Sequence, residues 1–137
     1  MSEYLFVYGT LRKNYDLKLK KMVSNRMEYL GQGKVGASLY DIGRYPGAIK
    51  SNRGDEVIGD VFLVTDSDKV LKLFDRYEGI SEEGKHDADF IRKKTRVRLR
   101  SGKTLLAWVY WYNQSVVHKR KIKHKSYLAY IKSKAKN

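Results

Sequence analysis

Tyr4-Leu5-Phe6-Val7-Tyr8-Gly9-Thr10-Leu11-Arg12 is the stretch on which the reading of this chain turns. From Tyr4 to Tyr8 nearly every position is apolar or aromatic, as in a strand buried on both faces. Gly9 then breaks the run. A strand that ends in Tyr-Gly-Thr-Leu can leave successive N–H groups convergent, and such groups bind an anion or a developing oxyanion. Gly9 permits close backbone approach, and Thr10 adds a hydroxyl. The same residues can also be read as an ordinary strand-to-loop turn.

A second stretch, Asp75-Arg76-Tyr77-Glu78-Gly79, closes an amphipathic segment. Val70, Leu73, Phe74 and Tyr77 follow helical spacing, so the pattern predicts a helix from about Ser67 to Glu78. Asp66 or Ser67 can cap its start, and Gly79 can terminate it. Glu78 then sits in the last turn, where the macrodipole disfavours negative charge. It also follows Phe74 by four and Leu71 by seven, beside the apolar face. Both effects disfavour the ionised form and push its carboxyl group upward, toward a group that exchanges a proton at neutral pH. The alternative is a solvated glutamate at a frayed helix end, paired with Arg76 or Lys72.

These two stretches, with three others, resemble the gamma-glutamylcyclotransferase-like family, in particular its short bacterial and gamma-glutamylamine cyclotransferase-like (AIG2-like) branch. The apolar strand runs into Tyr8-Gly9-Thr10-Leu11. Tyr45-Pro46-Gly47 matches a Tyr-Pro-Gly segment, and Gly59-Asp60-Val61-Phe62 matches the strand before the helix. Asp75-Arg76-Tyr77-Glu78-Gly79 matches Asp-x-Tyr-Glu-Gly, and Ala107-Trp108-Val109-Tyr110 matches a late strand. Order and spacing fit from about Glu3 to Tyr130. The resemblance implies a small mixed α+β barrel and an enzyme of acyltransferase or lyase type that releases 5-oxoproline from a gamma-glutamyl amine or amide. It implies Glu78 as the general acid/base, the backbone of Tyr8, Gly9, Thr10 and Leu11 as the substrate and oxyanion site, and Tyr45 and Tyr110 as pocket lining. It calls for no metal and no organic cofactor. One position departs from the family pattern: Phe90-Ile91-Arg92 stands where Tyr-x-Arg is common, so a hydroxyl is missing. That departure keeps open a non-catalytic small-molecule binding module on the same scaffold.

Composition sets the outer bounds. A chain of 137 residues is most simply one domain, residues 1–137, able to bury about two thirds of its unfolded surface. With no cysteine it has no disulfide framework, no zinc-thiolate site and no cysteine nucleophile. His86, His118 and His124 lack ligand spacing, so no metal site is expected. Leu5 to Tyr8 is too short and unflanked by basic residues for a signal peptide, nothing approaches a membrane span, and a cytoplasmic location is expected. Net charge is +14, and no acid follows Asp89. Lys119, Arg120, Lys121, Lys123, Lys125, Lys132, Lys134 and Lys136 make a basic segment over residues 119–137, with Tyr127 and Tyr130 among them. Such a segment can hold phosphates and stack bases, or simply be a solvated helix face. Its lysine dominance and lack of a base-reading motif favour nonspecific polyanion contact over specific recognition.

The remaining pattern predicts a small, mostly antiparallel β-barrel with a few flanking helices, an α+β fold. Leu17, Leu19, Met22 and Val23 form a weak helical pattern. Gly31, Gly33, Gly36 and Gly43 punctuate short bent strands up to Gly47. Glu56 to Val64 reads as a strand. Arg92 to Arg100 and Leu105 to Tyr112 read as a hairpin around a two-residue Ser101-Gly102 loop, with Val109 and Trp111 on one face and Trp108, Tyr110 and Tyr112 on the other. Ser126 to Lys134 reads as a final helix docking through Tyr127, Tyr130 and Ile131.

Overall fold

The computed structural model describes residues 2–9, 24–43, 45–77 and 89–135. The apolar run forms β1 (Glu3–Val7). A single-turn 3-10 helix (Ser24–Arg26) leads into β2 (Met27–Asp41), followed by β3 (Pro46–Lys50) and β4 (Glu56–Val64). The amphipathic segment is α1 (Ser67–Tyr77). Then come β5 (Phe90–Leu99), β6 (Thr104–Tyr112), β7 (Arg120–Ile122) and α2 (Tyr127–Ala135).

β1 lies between two partners. It runs antiparallel to β4, with Leu5 opposite Phe62, and parallel to β6, with Leu5 opposite Trp108. β4 pairs with β2, β6 pairs with β5, and β5 returns to β2 through Gly33–Leu99 and Lys34–Arg98. The circuit β2-β4-β1-β6-β5 is therefore a closed barrel of five strands, sealed between β5 and β2 by these two residue pairs. The far half of β2 extends beyond it and pairs with β3 and β7.

Period-two alternation sorts side chains between two cores. Phe6, Tyr8, Val61, Val97, Val109 and Trp111 fill the barrel. Leu5, Val7, Phe62 and Tyr110 face outward and are covered by Val70, Leu71 and Phe74 of α1. β1 thus buries both faces because one meets the barrel interior and the other a helix. Phe74 is fully buried, and burial of such a ring is worth roughly 1.5–3 kcal/mol. The two faces expected for β6 are those observed.

Three local expectations change. Residues 27–41 form one long strand rather than several short ones. A β-bulge between Tyr29 and Gly31 bends it, and Gly33 permits the close crossing that shuts the barrel. A Cβ at Gly33 would lie 2.7 Å from Val97 Cγ1 and 2.9 Å from Val61 Cγ2. The β5–β6 loop is longer than two residues: Leu99 N–H donates to the Lys103 carbonyl at 2.7 Å, and Gly102 adopts φ 95° to complete the turn. The C-terminal basic segment is docked up to residue 135. Tyr127 and Tyr130 join the barrel core and β7 pairs with Leu39 to Asp41, but Ile131 remains exposed. The helical pattern at Leu17 to Val23 lies outside the described residues. Among those residues, no helix is long and apolar enough to cross a membrane.

Candidate active site

Segments far apart in sequence meet where β1 ends. Tyr8 follows β1 with its ring inside the barrel. Its hydroxyl donates to the Tyr110 carbonyl at 2.5 Å and accepts the Ala48 N–H at 3.1 Å. Alternation along β6 sends the Tyr110 side chain outward, where its hydroxyl donates to Asp75 Oδ1 at 2.6 Å. Asp75 also receives a two-pronged contact from Arg92, Nε to Oδ1 at 2.7 Å and Nη2 to Oδ2 at 3.1 Å. A planar guanidinium matches a carboxylate in this way, and the pairing is both strong and directional. The helix end, β6, β1 and β3 are thereby joined by one hydrogen-bonded chain.

The Arg92–Asp75 pair is only about one-fifth exposed on each side. Burial works against the Arg92 charge, but the Asp75 carboxylate outweighs it and holds the guanidinium above its ordinary value. The guanidinium also lies 4.2 Å from the centre of the Trp108 ring, a favourable cation–π placement. Asp75 is therefore held in place by Arg92 on one side and the Tyr110 hydroxyl on the other.

Beside this chain is an aromatic cluster. Phe90 packs against Tyr45 and Tyr112, with ring centres 5.5 and 5.6 Å apart. The Tyr45 hydroxyl donates to Asp89 Oδ2 at 3.4 Å. Burial, then the Asp89 charge, push the Tyr112 hydroxyl above its ordinary value, so it stays protonated. A Cβ at Gly47 would lie 2.8 Å from Tyr112, and one at Gly9 would lie 3.0 Å from Pro46 Cγ. The Tyr-Pro-Gly segment is thus wedged between the end of β1 and the end of β6.

Of the site residues expected from sequence, Tyr8, Gly9, Tyr45 and Tyr110 are brought to this end of the barrel. Thr10, Leu11 and Glu78 lie outside the described residues, as does His86. α1 ends at Tyr77, so Glu78 follows it directly, three residues after the Asp75 anchor. The Tyr8 and Tyr110 hydroxyls both serve the internal chain. His118 and His124 are exposed, and no group of three or more potential metal ligands occurs among the described residues.

Sequence reasoning gave Asp75, Arg92 and Ala48 no role. A carboxylate within the buried stripe of α1, one residue after Phe74, was the available signal for Asp75. Its partner is seventeen residues away on a strand, and no local pattern marks it.

Comparison with known proteins locates this arrangement. The family described as "Gamma-glutamyl cyclotransferase, AIG2-like" matches residues 5–129. A Methanocaldococcus jannaschii protein named "Putative gamma-glutamylcyclotransferase MJ1514" is 33% identical over 118 residues, covering 82% of this chain and 87% of its own length. Among solved structures, an AIG2-like protein from Mus musculus superposes with a TM-score of 0.72 at 19% identity, over 92% of this chain and 88% of that one. YkqA from Bacillus subtilis gives a TM-score of 0.73 at 21% identity; all of this chain is covered, but it spans 44% of that protein's length. At these identities the structural likenesses establish the fold.

Proposed function

Because the chain belongs to the gamma-glutamyl cyclotransferase, AIG2-like family, with the cyclotransferase-like function that membership supports, we propose that it cyclises a gamma-glutamyl amine or amide to 5-oxoproline with Glu78 as general acid/base. The observation that carries this reading is the hydrogen-bonded chain from Asp75 through Tyr110 and Tyr8 to Ala48. It fixes the helix end that leads into Glu78 against the strand end that leads into the Gly9-Thr10 turn.

In the proposed reaction the substrate alpha-carboxylate binds the main-chain donors of Tyr8 to Leu11. Glu78 takes a proton from the alpha-ammonium group. The freed nitrogen attacks its own gamma-carbonyl carbon, closing a five-membered ring. The bond from that carbon to the leaving nitrogen breaks as Glu78 returns its proton to the departing amine, and the ring nitrogen gives its second proton to water, leaving the lactam N–H. Holding the two ends of one molecule together supplies much of the acceleration, since oriented intramolecular reactions gain on the order of 7–11 kcal/mol. No step consumes an oxidant or a second substrate. We assign the reaction to the cytoplasm, where the cysteine-free composition is at home.

The test is 5-oxoproline release from a panel of gamma-glutamyl amines and amino acids. Glu78→Gln should lower turnover on the order of a hundredfold to ten-thousandfold, with substrate affinity largely kept. Turnover of the parent chain should titrate with a group above the ordinary glutamate range. Unchanged turnover in Glu78→Gln removes that residue from the mechanism. The binding-module reading draws support from Phe90, whose ring is buried between Tyr45 and Tyr112 with no hydroxyl. Tight binding of a gamma-glutamyl compound without oxoproline release by the parent chain would favour it.

A further inference from the structure

The C-terminal half of β5 carries charge that the candidate active site does not use. β5 places Arg92, Lys94, Arg96, Arg98 and Arg100 at alternate positions, so the row shares one face and continues into the turn. The first two are committed: Arg92 to Asp75, and Lys94 to Glu3 at 2.8 Å. Arg98 meets Glu56 at 3.1 Å, but the same carboxylate also faces Lys125 at 3.8 Å, so one negative charge answers two positive ones. Arg96 and Arg100 are exposed and have no ion-pair partner among the described residues.

This end of the row borders a trough along the β2–β5 seam. One part has a volume of about 410 Å³, with Lys34, Arg98 and Arg100 around a floor that includes Gly33, Ile58 and Gly102. An adjoining part of about 260 Å³ shares Gln32, Leu99 and Arg100 and reaches Tyr29 and Leu30. Among the described residues, no carboxylate lines either part. At the far end the Tyr29–Gly31 bulge turns Leu30 out of register, and the Tyr29 ring is 40% exposed. Nine strand steps separate Phe90 from Leu99, about 30 Å, so the Arg98–Arg100 end of the row is far from the Phe90 cluster.

We propose that this trough, continued by Arg96, binds single-stranded nucleic acid through its phosphates, without reading base identity. Guanidinium forks suit phosphate oxygens, and the cations here are mostly arginine on rigid strands, unlike the lysines after residue 119. An open cationic groove with an exposed aromatic ring at one end is the arrangement that tracks a flexible strand and stacks a base. A flat anionic membrane cannot enter a concave seam.

The experiment is fluorescence anisotropy of a labelled oligothymidylate titrated with the full chain at graded sodium chloride. The parent chain should bind at low salt, with log K falling against log salt at a slope of about −2 to −3, for roughly 0.7 per neutralised phosphate. The double variant Arg96→Ala/Arg100→Ala should weaken binding on the order of tenfold or more at low salt and make the slope shallower by about 1.4. Lysine at both positions should restore most of the affinity. Lys123→Ala/Lys132→Ala should bind as the parent does, and oxoproline release should be unchanged in both variants. No binding by the parent at low salt overturns the proposal, as does a loss caused only by the Lys123/Lys132 pair. Equally tight binding to phosphatidylserine vesicles, lost in the same arginine variant, would overturn it in favour of a membrane surface.

Discussion

The two ends of this barrel use polar residues in opposite ways. At the β1 end, Asp75, Arg92, Tyr110 and Tyr8 are mostly removed from water and bonded to one another. Towards the β5–β6 turn, Arg96 and Arg100 are exposed with no ion-pair partner among the described residues, and Arg100 borders a groove whose described lining holds no acid. A buried polar group is costly unless it is satisfied, so a network of this kind specifies one geometry. An exposed cation costs little and specifies nothing until an anion arrives. One end has the rigidity that positioned chemistry requires, and the other has charge available for an external partner.

The contrast is sharpest in variants that break each end. The largest expected effect is the loss of turnover in Glu78→Gln. Next comes Asp75→Ala, which leaves the Arg92 charge and the Tyr110 hydroxyl without their acceptor. It should cost about 1.5–3 kcal/mol, read as a lower denaturation midpoint. If Asp75 positions Glu78, kcat should also fall with little change in KM. A loss of stability with kcat intact would make the anchor purely structural. Tyr8→Phe removes an acceptor from Ala48 N–H and a donor from the Tyr110 carbonyl, and should cost about 1–3 kcal/mol by chemical denaturation.

A smaller effect is expected where the C-terminal helix docks. The Tyr130 hydroxyl donates to Asp41 at 2.7 Å and Lys134 lies 3.4 Å away. Tyr130 first, with Gly43 N–H and Lys134, holds the Asp41 carboxyl below its ordinary range despite burial. Because the folded value is the lower one, this stabilisation is complete above the ordinary aspartate range. It is lost as pH falls through the folded value. Tyr130→Phe should cost about 1 kcal/mol at neutral pH and flatten the acid limb of stability against pH. An unchanged acid limb would show that Asp41 draws nothing from Tyr130. Arg96→Ala/Arg100→Ala should have the least effect on stability, within about 0.5 kcal/mol, since neither side chain has an ion-pair partner to lose among the described residues.

Local pattern carried much of the fold. The apolar run at Tyr4 to Tyr8, the helical spacing of Val70, Leu73 and Phe74, and the two faces of β6 appear as expected, because each depends on neighbours within a few positions. The glycines of β2 misled for the same reason. A local reading treats glycine as a break, whereas Gly33 is required by side chains of β4 and β5 that approach from elsewhere. β7 is three residues long and stands only because β2 offers it an edge. The C-terminal helix docks through Tyr127 and Tyr130 as its spacing suggested, but Ile131, expected on the same face, stays exposed.

By itself the sequence determined the barrel-type α+β class, the strand and helix that flank the candidate site, and the residue types gathered there. Alternation and helical periodicity are short-range consequences of backbone geometry, so they can be read from adjacent letters. Tertiary structure alone decided that Asp75 is gripped by Arg92 and Tyr110, that Tyr8 reaches Ala48 and Tyr110 across 40 and 102 residues, and that an arginine row borders a groove. Those outcomes rest on barrel closure. Closure brings together groups whose separation along the chain carries no information about their distance in space.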